Sequence, residues 1–258
     1  MENDYGQFIL SIKKKTGIDL SLYKEAQMKR RLTSLRDKRG FSTFSQYEKA
    51  ISVDHGLLAE FLDRMTINVS EFFRNYKRWE VLEKKILPDL LSQKSSFKAW
   101  SAACSTGEEP YTLAMLLDRY HSLNKSTIVA TDIDLKIIER AKLGVYPERS
   151  LQEVPDFYRK KYFNQDGSFF HISNAMKRAV SFEKHNLLAD TYDQSFDLII
   201  CRNVLIYFTE EAKNKIYQNF YHALRPGGIL FVGSTEQIFN PQSFGFDIVD
   251  TFFYKKLP

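Results

Sequence analysis

The stretch WSAACSTGEEPY, residues 100–111, decides the fold: an apolar run ends, a single glycine follows, two glutamates stand side by side, and a proline suited to opening a helix comes next. This is the outline of the strand, turn and helix that approach the ligand most closely in an open α/β sheet. Its charge has the wrong sign for a phosphate. A dinucleotide site presents G-x-G-x-x-G so that backbone amides and a helix N-terminus receive a pyrophosphate, whereas only Gly107 stands here and Glu108 and Glu109 repel one. A P-loop is excluded more firmly, because no Gly-Lys-Ser/Thr follows.

Outward from this turn, strand and helix signals alternate. FKAWSAA (97–103), STIVATDID (126–134), FDLIICRN (196–203) and ILFVG (229–233) read as strands, and FDIVD (246–250) and TFFYKK (251–256) as a final pair. PYTLAMLLDRYH (110–121), LKIIERAKLG (135–144) and TEEAKNKIYQNFYHAL (209–224) have helical spacing. The alternation predicts a parallel sheet with helices on both faces, beginning near residue 97. The segment 162–186 carries an Asp166-Gly167 turn signal between aromatic and β-branched runs, and is expected to be a small antiparallel hairpin inserted into that domain.

The first 75 residues show no strand-like alternation and are expected to form a helical bundle. Met28, Leu32 and Leu35 make one stripe of a 3.6-residue period, Gly40 stands where a helix C-cap glycine belongs, and RWEVLEKKILPDLLSQ (78–93) is helical and punctuated by Pro88. From Lys24 to Gly40 there are seven basic residues and two acidic ones, a local excess equal to the whole chain's net +5. A localised positive face implies an acidic partner.

Apolar residues at 43% and charged residues at 27% are ordinary for 258 globular residues and argue against disorder. Cys104 and Cys201 stand apart without metal-ligand spacing, so neither a disulfide framework nor a metal site is expected; both read as small buried residues at strand ends. The N-terminus lacks a signal-peptide pattern and no apolar run approaches ~18 residues, so a cytosolic protein without membrane insertion is expected.

An adenosine compound with positive charge and no phosphate suits the 100–111 turn, and S-adenosylmethionine, with its sulfonium and ammonium, is such a compound. Glu109 is placed to face the cationic end, and Asp132, 23 residues on at a strand end, to accept hydrogen bonds from ribose hydroxyls. Plainer readings stay open: the glutamates complement a helix dipole, worth ~0.3–1 kcal/mol, and Asp132 is a strand-end turn residue.

With those residues assembled, the sequence resembles the CheR-type chemotaxis receptor methyltransferases over nearly its whole length. The resemblance rests on MTINVSEFFR (65–74), WSAACSTGEEPY, ATDID (130–134), HNLL (185–188), CRNVLIYF (201–208) and RPGGILFVGSTE (225–236), six motifs in order. It implies a Rossmann-like class I methyltransferase domain over 76–258 with an inserted β subdomain at about 162–182, after a helical receptor-recognition domain over 1–75. It implies S-adenosylmethionine as cofactor and S-adenosylhomocysteine as product, with Asn68, Ser70, Arg74, Glu109, Asp132, Asn186, Leu187, Arg202 and Asn203 around it. Ser70 departs from the threonine of many relatives but keeps the hydroxyl. Arg74 and Tyr207 are the catalytic candidates, Tyr207 near the transferred methyl. The implied substrate is glutamate carboxylates on the cytoplasmic methylation helices of chemoreceptors, met by Lys29, Arg31, Arg36 and Lys38. A cytoplasmic monomer recruited to receptor arrays, with no nucleic-acid partner, is the expectation. A nucleic-acid methyltransferase and a non-catalytic S-adenosylmethionine-sensing adaptor are its rivals.

Overall fold

The computed structural model describes residues 2–66, 69–92, 95–120 and 122–258; the Asn68 assignment lies outside them. Contacts sort the chain into two units, Met1–Ile67 with Asn186–Thr191 and Val204–Ile216, and Asn68–His185 with Tyr192–Asn203 and Tyr217–Pro258.

The first unit holds helices α1 (Glu2–Thr16), α2 (Glu25–Lys38), α3 (Phe44–Val53) and α4 (His55–Met65). Met28, Leu32 and Leu35 are all buried, so the stripe read from α2 is its core face. The core is aromatic: the Phe8 ring lies 5.0 Å from Phe44, 6.0 Å from Tyr47 and 5.8 Å from Phe61, within the range at which rings attract beyond simple burial. Sequence-encoded caps set the helix ends. Thr43 Oγ1 accepts from the Gln46 amide at 3.1 Å, and Asp54 Oδ1 from the Gly56 amide at 2.7 Å. Gly40, at φ +79°, closes α2 as expected, its amide bonding to Asp37 O at 2.9 Å and that of Phe41 to Arg36 O at 3.2 Å. Within this unit Leu22–Lys24 runs beside Tyr207–Thr209: Tyr23 and Phe208 form an antiparallel bridge, Lys24 N donates to Tyr207 O at 2.9 Å and Thr209 N to Leu22 O at 2.9 Å.

The second unit begins with the junction segment, including Val69–Asn75, which the sequence reading grouped with the helical part. Phe72 and Phe73 account for the difference, being buried against Tyr146 and Phe163, and against Trp79 and Tyr158. Helices α5 (Tyr76–Val81) and α6 (Leu87–Leu91) follow, joined by a π turn over Leu82–Ile86. Pro88 has no N–H to return to residue 84, which loosens the helix just before it.

Next in order come β1 (Phe97–Ala102), α7 (Glu108–Arg119), β2 (Ser126–Asp132), α8 (Leu135–Leu143), β3 (Val145–Pro147), α9 (Asp156–Tyr162), β4 (Phe163–Asp166), β5 (Phe169–Ile172), α10 (Asn174–Ala179), β6 (Val180–Lys184), β7 (Phe196–Cys201), α11 (Glu210–Ala223), β8 (Leu224–Val232), β9 (Phe246–Asp250) and β10 (Phe253–Lys256). The large sheet has the order β6-β2-β1-β7-β8-β10-β9. Strands β6 to β8 are parallel, but β10 runs antiparallel to both neighbours, so the sheet is mixed rather than parallel. The final pair needs only a two-residue connection, too short for the crossover a parallel pair requires. β7 is buried at every position, as expected of a strand covered on both faces.

The small antiparallel sheet, β3-β5-β4, turns at Gly167 (φ +56°) as the Asp166-Gly167 signal suggests. Its extent differs from the reading. Val180–Lys184, taken for part of the inserted hairpin, is instead an edge strand of the large sheet, paired in parallel with β2 from Ile128↔Val180 to Asp132↔Lys184. Alternation alone does not say which sheet a strand joins.

Gly144 ends α8 in the left-handed region at φ +63°, where an added Cβ would lie 2.6 Å from Ile172 Cγ2 and 2.8 Å from Lys177 Cε. Left-handed backbone and overpacking each cost a non-glycine residue about 1–3 kcal/mol. Gly144→Ala is therefore expected to lower the unfolding free energy by roughly 2–4 kcal/mol, read as a shift in urea midpoint at unchanged slope.

Candidate active site

In the second unit the chain order reverses between β1 and β7, because β1 is followed outward by β2 on one side while β7 and β8 fill the other. Crevices at such switch points, at the carboxyl ends of the strands, are where open α/β sheets bind ligands. Between β1 and α7 the backbone enters the left-handed region at Ala103 (φ 61°), Ser105 (φ 50°) and Gly107 (φ 92°). Left-handed residues other than glycine cluster at functional sites. At Gly107 a Cβ would stand 3.0 Å from that of Ala141, so glycine alone fits. The helix begins at Glu108, placing Pro110 inside its first turn rather than at its opening.

The two glutamates diverge. Glu108 turns back, its Oε2 accepting from Thr106 Oγ1 at 2.6 Å and its carboxylate from the Ser70 hydroxyl. Glu109 turns to the crevice, where Ser101 Oγ donates to Oε1 at 2.8 Å and Arg202 Nη1 stands 3.8 Å from Oε2. Burial pushes the Glu109 carboxyl up to about 7; Arg202 and Ser101 draw it down and Glu236 adds to the rise.

Arg202, directly after β7, donates through Nη2 to Arg74 O at 2.7 Å and Asn75 Oδ1 at 3.1 Å, and lies over the rings of Phe231 (4.7 Å) and Trp79 (5.5 Å). Its Nε is buried without a hydrogen-bond partner among the described residues. Arg74 sits between two left-handed residues, Phe73 (φ 54°) and Asn75 (φ 62°), and its own Nη1 donates to Val69 O at 3.0 Å. Glu236 Oε2 accepts both the Asn203 amide (2.6 Å) and the Gly233 amide (2.9 Å), tying the ends of β7 and β8 together. A Cβ on Gly233 would stand 2.4 Å from that oxygen. At the end of β2, Asp132 is buried and its oxygens accept the amides of Ser105 (2.9 Å) and Asp134 (3.1 Å).

This donor set fits S-adenosylmethionine. Glu236 is buried and Glu109 is partly buried, its side chain 12% exposed, and the two are set against one buried guanidinium that still offers an Nε–H. Buried charge that is not balanced is costly, and a ligand carrying a sulfonium and an amino-acid zwitterion supplies a cation for the carboxylates and an acceptor for Arg202. Glu109 and Arg202 would hold its methionyl end and Asp132 its ribose.

Of the residues named from sequence, Arg74, Glu109 and Arg202 are linked to one another, while Ser70, Asp132 and Asn203 lie in the same unit and bond to Glu108, to the amides of Ser105 and Asp134, and to Glu236. Asn186, Leu187 and Tyr207 belong to the first unit, where Asn186 Oδ1 accepts the Leu188 amide at 3.0 Å and Leu187 is buried. On α2, Arg31 Nη1 donates to Met65 O at 2.7 Å, and Arg36 reaches Asp37 at 2.7 Å and the Phe44 ring at 4.7 Å. Lys29 lies 5.3 Å over the Tyr5 ring, while Lys38 is exposed. Sequence reasoning missed Glu236 and Ser101 as site residues, although both stand inside motifs it singled out. Cys104 and Cys201 are buried as expected.

The family model described as CheR methyltransferase, SAM binding domain, matches residues 68–252, and that described as CheR methyltransferase, all-alpha domain, matches residues 3–66. The chain is 45% identical over 257 residues to the chemotaxis protein methyltransferase of Listeria innocua, a match spanning 99% of this chain and 98% of the relative. It is 37% identical over 236 residues to that of Borreliella burgdorferi (86% and 83% covered) and 34% over 250 residues to chemotaxis protein methyltransferase 1 of Pseudomonas aeruginosa (92% and 91%).

A raised folded-state value for Glu109 means that its ionised form is disfavoured by the fold, so without ligand its contribution to stability declines as pH rises from about 4.5 to about 7. A cationic ligand reverses that preference. S-adenosylmethionine affinity is therefore expected to strengthen about tenfold between pH 6 and 8, and Glu109→Gln to bind weakly with little of that slope, by calorimetry.

Proposed function

The chain belongs to the CheR methyltransferase family and is an S-adenosylmethionine-dependent methyltransferase of chemotaxis, and from that premise we propose that its substrate is the side-chain carboxylate of glutamates on the cytoplasmic helices of bacterial chemoreceptors. The observation that carries this reading is the basic face of α2 within the all-helical part. Lys38 and Arg30 are exposed and Lys29 half-exposed, on a helix whose apolar side is committed to its own core. A surface of that sign suits helices rich in glutamate. Arg36 is spent largely inside the unit, its side chain only 16% exposed, which leaves Lys29, Arg30 and Lys38 as the docking cations.

We assign receptor recognition to the helical part and catalysis to the sheet, in a monomer that acts in the cytoplasm at receptor arrays. None of the described helices is long and apolar enough to cross a membrane.

Bound S-adenosylmethionine supplies an electrophilic methyl group on a sulfonium. The protein's share is placement, because a glutamate carboxylate with a reference pKa of ~4.3 is already ionised at neutral pH and needs no base. Aligning its oxygen behind the methyl can contribute ~7–11 kcal/mol in favourable cases. In this reading Arg74, held between Phe73 and Asn75, orients a carboxylate, and Tyr207 orients through its hydroxyl near the reacting centre. Arg202 favours the ionised form of Glu109 against the burial that raises it, and fixes the junction backbone through Arg74 O.

Labelled methyl transferred to receptor cytoplasmic fragments should be released as methanol in mild base, as a carboxyl ester requires; base-stable label on nucleic acid would establish the rival activity, and no transfer at all the adaptor. Lys29→Glu with Lys38→Glu should raise KM for the receptor fragment severalfold, the effect shrinking with added salt, while S-adenosylmethionine affinity stays unchanged. Tyr207→Phe should lower kcat more than it lowers cofactor affinity.

A further inference from the structure

Arg31 sits on the same basic helix as the docking cations but does not share their situation. It lies in the second turn of α2, one residue before the buried Leu32, and is half-buried. Its Nη1 donates to Met65 O at 2.7 Å. Met65 is the last residue of α4, where carbonyls lack intrahelical partners and a cation is favoured. The guanidinium carbon then stands 5.8 Å from the centroid of the Tyr207 ring, within cation–π range.

Tyr207 is fastened to the same stretch of chain through its backbone. Lys24, the residue before α2, donates its amide to Tyr207 O at 2.9 Å, and Thr209 N donates to Leu22 O at 2.9 Å. Between them Tyr23 and Phe208 meet edge to face, with centroids 5.0 Å apart at 75°. Three consecutive residues, 207 to 209, are thus held by residues 22–24. Those bonds hold the backbone of Tyr207, and the Arg31 guanidinium, itself anchored to the end of α4, lies over one face of its ring. Lysine carries the charge but cannot stack a plane on the ring while donating to the carbonyl.

We infer that Arg31 is a positioning residue for methyl transfer: it sets the ring of Tyr207 from within the helical unit, rather than docking the receptor. The inference rests on the proposed role of Tyr207 at the reacting centre. Helix α2 then does two jobs with adjacent residues. Lys29, Arg30 and Lys38 face outward to receive an acidic helix, and Arg31 faces inward to the tyrosine. Its loss should appear in turnover, not in substrate affinity.

A double-mutant cycle on the full-length enzyme tests this, with labelled S-adenosylmethionine and a receptor cytoplasmic fragment as substrates. Arg31→Met should lower kcat roughly tenfold with both KM values within about twofold of the parent. Arg31→Lys should recover part of the loss. In a Tyr207→Ala background, Arg31→Met should cost little more, because the group it positions is gone. Melting temperatures of all variants guard against simple unfolding, and if Arg31→Met melts early, Arg31→Lys carries the cycle. A raised receptor KM at unchanged kcat would make Arg31 a docking residue and overturn the inference. So would kcat losses that multiply in the double variant, which leave the tyrosine's role standing. Parent-like kcat in Tyr207→Ala alone would instead remove the tyrosine's role, and the inference with it.

Discussion

The active site depends on the burial of one guanidinium. Arg202 stands between aromatic rings directly after β7, at the place where the sheet reverses its order, and three groups from two other parts of the unit converge on it. Glu109 approaches from the first turn of α7, and the junction contributes Arg74 O and Asn75 Oδ1. Removing one partner of such a buried pair costs roughly 3–5 kcal/mol, because the other charge is left without compensation. The arrangement therefore locks the junction backbone to the end of β7.

Charge accounts for the choice of ligand as well. Two carboxylates, Glu109 and Glu236, share the mouth of the sheet with Arg202, and Glu236 is already committed to the amides of Asn203 and Gly233. Its clamp explains why residue 233 is glycine, since any side chain would enter the space of the carboxylate. A phosphate at this mouth would meet two acids, whereas a sulfonium would meet the opposite charge. Burial, with Glu236 adding to it, raises the Glu109 carboxyl to about 7.

The helical unit has its own division of labour. Its core is an aromatic cluster around Phe8, which frees the opposite face of α2 for cations. The short bridge between Tyr23 and Phe208 brings a loop from far along the chain into this unit. The residues just before α2 are in this way bonded to the backbone of residues 207–209.

The chain's sequence was sufficient for whatever depends on local periodicity and turn chemistry. The stripe on α2 and its glycine terminus, the central strands, the Asp166-Gly167 hairpin and the glycine-acid turn each follow from a few neighbouring residues, and they lie where those residues demand. Six ordered motifs likewise sufficed for the family. Tertiary structure alone decided the rest. Whether Val180–Lys184 joins the small sheet or the large one, and whether the last strands run parallel or antiparallel, depends on pairing partners distant in the chain, to which alternation is blind. The separate fates of Glu108 and Glu109 depend on Ser70, Ser101 and Arg202, and the inward turn of Arg31 on Met65 and Tyr207. Residues 31 and 38 are one kind of residue on a helical wheel; only the carbonyl and ring that close over Arg31 make them different, because a side chain's task is set by what the fold brings within about 6 Å of it.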